Sequence, residues 1–165
     1  MTQRSAGLLL FRHRDGALEF FLVHPGGPYW AKKDAGAWSI PKGLYGENEL
    51  PLEAAKREFK EETGLSVRGD FLELGEFKQP GGKIVSAWAV EGDCNAGAVK
   101  SNRFSMEWPP RSGKTRDFPE VDRAAWWELR QAFVKILPGQ KPILERALEL
   151  PVIGSTNRVT RQNVT

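Results

Sequence analysis

Apolar runs separated by turn-forming residues predict β-strands at the start of the chain. Residues 5–12 (SAGLLLFR) and 18–24 (LEFFLVH) are two such runs, joined by Asp15-Gly16, a dipeptide typical of a tight hairpin. The next stretch, residues 25–38, is rich in glycine and proline and therefore predicts a long loop. A short strand is predicted after it, over residues 38–40.

The clearest helix is predicted over residues 51–63. Pro51 suits the first helical turn, and Gly64 suits the position just past the helix end. At about 100° per residue, one arc of this helix is apolar and should face the core; it holds Leu52, Ala55 and Phe59.

A second arc of the same helix is acidic. Glu58, Glu61 and Glu62 share it at spacing i, i+3 and i+4, with Ala54 beside them. Three carboxylates this close repel one another, and a bound divalent cation would remove that penalty. Arg57, one turn before Glu61, would hold a carboxylate through a bidentate pair. The alternative is a charged helix face that is merely solvated.

The rest of the chain alternates between strand and helix patterns without a regular repeat. Predicted strands are residues 71–78 and 83–91, around the turn Pro80-Gly81-Gly82, then 104–108 and 124–127. A second long basic loop is predicted over 109–122, helices over 128–137 and 140–150, and a disordered tail over 154–165. This order favours a mixed sheet with helices packed on it.

Composition narrows the class of protein. The 165 residues suit one domain, which we place at residues 1–153. The net charge of +3 is too small to argue for nucleic acid by itself. The lone Cys94 rules out a disulfide scaffold or a zinc site made of several thiolates, and favours the cytoplasm. The longest apolar run is far shorter than a membrane span, and no secretory leader is expected.

The acidic helix lies within a longer pattern of fixed spacing. Gly43, Glu49, Arg57-Glu58, Glu61-Glu62 and Gly64 stand at the spacing G-x5-E-x7-R-E-U-x-E-E-x-G-U, with apolar residues at both U positions. This segment resembles a complete Nudix box over residues 43–65. A chance match of all seven fixed positions is on the order of 10⁻⁹ per starting point.

The resemblance implies an α/β fold, the Nudix α/β/α sandwich with a central mixed sheet. It also implies hydrolysis of nucleoside diphosphates linked to another group, with Mg²⁺ as cofactor and Mn²⁺ as the alternative. Carried over by position, the metal ligands would be Glu58, Glu61, Glu62 and the carbonyl of Gly43, supported by Glu49 and Arg57. The general base would be Glu61 or Glu120, and the sequence leaves that choice open.

The substrate is expected to be of the nucleotide type. Residues 38–43 (WSIPKG) resemble the segment before the box in animal-type diadenosine tetraphosphate hydrolases, which favours nucleoside or dinucleoside polyphosphates. Pro80 stands where ADP-ribose pyrophosphatases carry a proline, although it also fits a plain hairpin turn. The remaining alternatives are an RNA 5′-pyrophosphohydrolase, a diphosphoinositol phosphatase and a catalytically silent nucleotide-binding module. RNA is not favoured, no membrane partner is expected, and the oligomeric state is open.

The two predicted loops supply candidate substrate contacts. Their cations would bind phosphates, and two of their aromatic side chains would stack on a base; these residues are Lys32, Lys33, Lys42, Arg111, Lys114, Arg116, Tyr29 and Trp30. We expect the loop over 109–122 to close over the polyphosphate and bring Glu120 to the attacking water. The alternative is that these charges are ordinary solvated loop charges.

Overall fold

The computed structural model describes residues 2–154, and its centre is a mixed sheet of six strands. The sheet order is β4-β5-β1-β2-β8, with β3 paired to the start of β1. The strands of this sheet are β1 (Arg4–Arg14), β2 (Ala17–Pro25), β3 (Lys42–Leu44), β4 (Leu72–Lys78), β5 (Ile84–Glu91) and β8 (Val121–Glu128). Strands β1 and β5 run parallel, whereas the other neighbours are antiparallel. The predicted hairpin and the predicted strands 71–78 and 83–91 are confirmed within one or two residues.

Both faces of the sheet are buried, because side chains alternate between two cores along the central strands. In β1, Leu8 and Leu10 pack with α1 (Pro51–Thr63), whereas Leu9 and Phe11 pack on the opposite face. That opposite face is covered by α2 (Leu129–Lys135) and α3 (Lys141–Leu148). The expected α/β/α sandwich with a central mixed sheet is therefore confirmed.

Helix α1 has the predicted bounds, and its end follows the predicted chemistry. Pro51 is in the first turn, and Gly64 adopts a left-handed φ of 75° while its N–H donates to the carbonyl of Lys60. The apolar arc of the helical wheel is confirmed. Ala55 and Phe59 are buried, and the partly buried Leu52 packs against the same core, which also includes Ala54.

The predicted loop over residues 109–122 was wrong. β6 (Arg103–Glu107) and β7 (Thr115–Pro119) form a separate two-stranded hairpin, and β8 begins two residues later at Val121. Strand β6 confirms the strand predicted over residues 104–108 within one residue, whereas β7 was missed, because three of its five residues are exposed and it shows no clear apolar alternation. A closing loop is thus replaced by a paired strand, and only residues 108–114 connect the two strands of the hairpin.

Three smaller differences concern short elements. Residues 38–40 make isolated bridges, Ser39 to Val23 and Trp38 to Ile136, and do not form a full strand. Strand β3 was not expected, because three residues are too few for a hydrophobic period. The last strand is longer than residues 124–127, and the helices predicted over 128–137 and 140–150 are shorter than expected.

The last described residues form a short helix, α4 (Pro151–Gly154). The predicted disordered tail, apart from Gly154, lies outside the described residues. Within residues 2–154, no helix has both the length and the apolar character needed to cross a membrane.

Candidate active site

The acidic face of α1 contacts β3, the short strand that pairs with the start of β1. Of its three carboxylates, Glu58 is buried, at 9% exposure, while Glu61 and Glu62 are partly buried. Such burial is unusual for glutamate without a compensating partner. The structure therefore favours a specific role for this face over the solvated alternative.

Arg57 connects the carboxylates on this side of the helix. Its Nε and Nη2 donate to the two carboxylate oxygens of Glu49 at 2.8 and 2.9 Å, which is the bidentate pair. Its Nη1 donates to Glu58 at 2.9 Å and to Glu61 at 3.1 Å. The hydrogen bonds that Arg57 donates to Glu49, Glu61 and Glu58 raise the pKa of Arg57 above its ordinary value.

Strand β3 brings Gly43 directly against Glu58. A Cβ atom on Gly43 would lie 2.0 Å from a carboxylate oxygen of Glu58, so only glycine permits this approach. In the same strand, the backbone N–H of Lys42 donates to Glu62 at 3.1 Å. The Gly43 backbone and all three carboxylates are thus gathered at one place.

The hydrogen bonds to Glu58 and Glu62 only partly offset the cost of desolvating their negative charges. Desolvation raises the pKa of Glu62 to about 8, against the opposing hydrogen bond from the Lys42 backbone. Desolvation also raises the pKa of Glu58. Burial lowers the pKa of the Lys42 ammonium, although Glu62 opposes that shift. Negative groups in this state gain from a proton or from a metal cation.

Glu120 lies opposite the acidic face, although 58 residues separate it from Glu62 in the chain. It is the single residue between β7 and β8, and its N–H donates to the carbonyl of Asn102 at 2.9 Å. The N–H of Asn102 in turn donates to the carbonyl of Glu61 at 2.8 Å. Although Glu120 is exposed as a residue, partial desolvation of its carboxyl group and the charge of Glu61 raise its pKa.

The donor set suits a hard divalent cation. Carboxylate and carbonyl oxygens are the ligands that Mg²⁺ and Mn²⁺ prefer, and Glu58, Glu61, Glu62 and Gly43 supply only such oxygens. Across residues 2–154 the structure holds no ready-made cluster of three or more metal-binding side chains. In the structure, Glu58 and Glu61 accept hydrogen bonds from Arg57, and Glu62 accepts one from the Lys42 backbone. Cation binding would have to exchange some of these contacts.

The candidate substrate residues of the first loop, residues 25–38, differ in how far their side chains are exposed. Tyr29 is 59% exposed and packs edge-on against Trp108 of the β6–β7 hairpin, with ring centroids 5.4 Å apart. Trp30 instead packs against the core, and the Lys33 ammonium lies 4.9 Å from its ring centroid. The structure thus places Tyr29, but not Trp30, where an exposed ring is available for stacking. Lys32 is exposed on the same segment.

The remaining candidate cations lie on the β6–β7 hairpin. Arg111 and Lys114 are exposed at its turn, and Arg116 is exposed on β7, with its guanidinium 5.5 Å from the ring centroid of Phe118. Phe104 of β6 lies against Gly27, so the hairpin and the first loop are neighbours. This juxtaposition and the contact with Trp108 were missed, because strand pairing far along the chain leaves no local signal.

Comparison with known proteins identifies the domain. The NUDIX domain model matches residues 1–147. An RNA pyrophosphohydrolase from Bartonella henselae is 36% identical over 67 residues, which cover 38% of this chain and only 36% of that protein.

Two solved structures share the fold at low sequence identity. The Nudix domain of Shewanella oneidensis NrtR, complexed with ADP ribose, has a TM-score of 0.63 and 16% identity, covering 90% of this chain and 88% of that one. A C. elegans Ap4A hydrolase has a TM-score of 0.58 and 22% identity, with 88% and 94% covered. Because the NUDIX domain model matches residues 1–147 and the chain carries the complete box over residues 43–65, the chain belongs to the Nudix hydrolase superfamily.

Proposed function

We propose that this protein is a Mg²⁺-dependent hydrolase of phosphoanhydride bonds in nucleotide-type compounds, most specifically nucleoside or dinucleoside polyphosphates. Mn²⁺ is the alternative cofactor. The observation that carries the proposal is the gathering of Glu58, Glu61, Glu62 and Gly43 opposite a further carboxylate, Glu120. The single cysteine favours the cytoplasm as the compartment.

The proposed roles follow from the contacts. Glu58, Glu61, Glu62 and the Gly43 carbonyl would hold the cation, which neutralises phosphate charge and lowers the pKa of a bound water. Arg57 and Glu49 would orient the carboxylates. Catalysis of this kind depends mostly on positioning and electrostatic stabilisation. Arg57 and Glu49 would therefore contribute by holding the metal ligands in a fixed geometry.

Glu120 is the better candidate for the general base. Glu61 already accepts two hydrogen bonds from Arg57, whereas within residues 2–154 no hydrogen bond engages the Glu120 carboxylate. The raised pKa of Glu120 also brings it closer to the range in which a base works efficiently. We therefore assign proton removal from the attacking water to Glu120, and metal binding to Glu61.

Substrate contacts would come from the hairpin and the first loop. Arg111, Lys114 and Arg116 are exposed cations that suit a chain of phosphates, and Tyr29 offers an exposed ring to a base. Lys32 and Lys33 would reach phosphates from the other segment, and Lys42 lies beside Glu62. Trp30 would support Lys33 from the core side.

A second candidate function is removal of pyrophosphate from the 5′ end of RNA. The observation that favours it is the segment 36% identical to an RNA pyrophosphohydrolase. Its test is whether activity on 5′-triphosphorylated RNA exceeds activity on free nucleotides and falls steeply with salt.

The decisive experiment is a substrate panel with Mg²⁺ and, separately, Mn²⁺. It compares nucleoside triphosphates, dinucleoside polyphosphates, ADP-ribose, 5′-triphosphorylated RNA and diphosphoinositols. Glu61→Gln and Glu62→Gln should each lower kcat by about 100-fold or more, while Glu53→Gln, an exposed carboxylate elsewhere on α1, should leave it unchanged. Near-normal turnover in either site variant would refute the proposed metal ligands.

A further inference from the structure

His24 is a fully buried histidine whose two ring nitrogens both face hydrogen-bond acceptors. Its Nδ1 lies 2.8 Å from the carboxylate of Asp122, and its Nε2 lies 2.7 Å from the backbone carbonyl of Lys33. A neutral imidazole carries only one N–H and cannot donate to both. One further proton must therefore lie between Nδ1 and Asp122. Because a carboxylic acid is the stronger acid of the two, the proton belongs to the imidazole.

The His24–Asp122 pair lies at an irregularity beside Glu120. In the pairing of β2 with β8, His24 is opposite Arg123, whereas Pro25 is opposite Val121. Asp122 is therefore the extra residue of a β-bulge. Bulges of this kind re-aim neighbouring side chains and need something to fix them. Here the buried His24 holds the side chain of the bulged residue, two positions after Glu120.

The other nitrogen of His24 fixes the loop over residues 25–38. The carbonyl of Lys33, which accepts from Nε2, lies in the second half of this loop. The same loop carries Tyr29 at its exposed position, and Gly26 at its start donates its N–H to the carbonyl of Glu120 at 2.9 Å. One side chain thus ties together β2, the bulge of β8 and the loop.

We propose that His24 is a positively charged positioning residue, which aims Glu120 through the Asp122 bulge and holds the loop over residues 25–38 in place. The part concerning Glu120 rests on the proposed function, whereas the charge state of His24 does not. His24 touches no reacting atom in this scheme and acts only through Asp122 and Lys33.

With a proton on each ring nitrogen, the imidazolium of His24 is held by two charge-assisted hydrogen bonds, one to Asp122 and one to the Lys33 carbonyl. The ring also lies edge-on to Trp38, with centroids 5.2 Å apart, and the Arg123 guanidinium lies over the ring of Trp38. Asp34 accepts from the Trp38 indole N–H and pairs with Lys135.

The first test reads the charge directly and needs no activity. The chain has two histidines, so nitrogen NMR of the protein labelled at histidine shows two rings, and His13→Gln assigns them. We expect both ring nitrogens of His24 to carry protons at pH 7. A His24 ring with one unprotonated nitrogen at pH 7 overturns the proposal.

The second test separates the two hydrogen bonds. The amide nitrogen of asparagine is as many bonds from Cα as Nδ1, and that of glutamine is as many as Nε2. His24→Asn therefore keeps the donor to Asp122, and His24→Gln keeps the donor to Lys33. We expect His24→Gln to lower kcat by about tenfold with little change in KM, and His24→Asn chiefly to raise KM.

Controls distinguish the positioning role of His24 from the proposed function of the whole protein. His13→Gln, a partly exposed histidine outside the site, should leave kcat and KM unchanged. Equal kcat and KM in the two folded His24 variants would overturn the positioning role. If the wild-type protein hydrolyses nothing in the panel, the proposed function fails. The NMR measurement then still decides the charge of His24.

Discussion

Arg57 organises the acidic site at the scale of single residues. Its fork engages Glu49, and its remaining Nη1 bridges Glu58 and Glu61, so one guanidinium positions two proposed metal ligands. Lysine could supply the charge but not the fork. This arrangement explains why an arginine is needed at this spacing, one turn before Glu61.

We therefore expect Arg57→Ala to lower kcat and metal affinity by about 10- to 100-fold, with a smaller effect on KM. Arg57→Lys should restore only part of the loss. Steady-state kinetics across a Mg²⁺ titration measure both quantities. A large rise in KM at unchanged kcat would instead place Arg57 in contact with substrate.

Strand β3 positions the site at the scale of elements, although it has only three residues. Its pairing with β1 carries Gly43 to the carboxylate of Glu58 and the Lys42 N–H to Glu62. Gly46, three residues later, has open space around its Cα. The two glycines form a matched pair for testing the close approach.

Gly43→Ala should displace the Glu58 carboxylate and lower kcat by about tenfold or more, since misplacement by an ångström is costly in catalysis. Gly46→Ala should retain wild-type kinetics. Circular dichroism and kcat, measured on both variants, check this expectation. Wild-type turnover in Gly43→Ala would show that the close approach is dispensable.

The β6–β7 hairpin has two faces with different expected roles. Arg116 lies on the face of Phe104 and Phe118, which contacts the first loop at Gly27, whereas Arg103 lies on the opposite face. Arg116→Ala should therefore raise KM, and more so for substrates with longer phosphate chains. Arg103→Ala is the matched control and should not change KM. The same KM ratio for short and long phosphate chains would count against phosphate binding by the hairpin.

The buried carboxylates affect the stability of the whole molecule. Burial raises the pKa of Glu62 to about 8, so the folded state binds a proton more tightly than the unfolded chain does. The stabilisation that comes from this tighter proton binding is complete when the pH lies below the ordinary carboxyl pKa. It is lost as the pH rises towards 8. A bound cation replaces the proton and removes this dependence.

For metal-free protein, we expect the free energy of unfolding to fall between pH 5 and pH 8. With each pKa unit equivalent to about 1.4 kcal/mol, the fall should be on the order of 2 kcal/mol. Urea denaturation in EDTA measures it. Glu62→Gln should flatten the curve, and so should saturating Mg²⁺ in the wild type. A metal-free wild type as stable at pH 8 as at pH 5 would contradict the burial of this charge.

The sequence by itself determined those parts of the protein whose defining residues lie close together in the chain. Helix α1 was predicted at its observed bounds, because Pro51, the apolar period and Gly64 are all near neighbours in the chain. The acidic arc followed from helical geometry, since residues three and four apart share a face. The family followed from a spacing of 23 residues, and the mixed sheet from the order of strands and helices.

Tertiary structure alone decided the parts that depend on pairing between distant segments. Strand β7, the three-residue β3 and the bulge at Asp122 have no hydrophobic period of their own, so nothing local distinguishes them from loops. The meeting of Glu120 with α1 was expected only through the family resemblance, and that of His24 with Asp122 was not expected. These contacts join residues about 60 and nearly 100 positions apart, and periodicity carries no information about such partners.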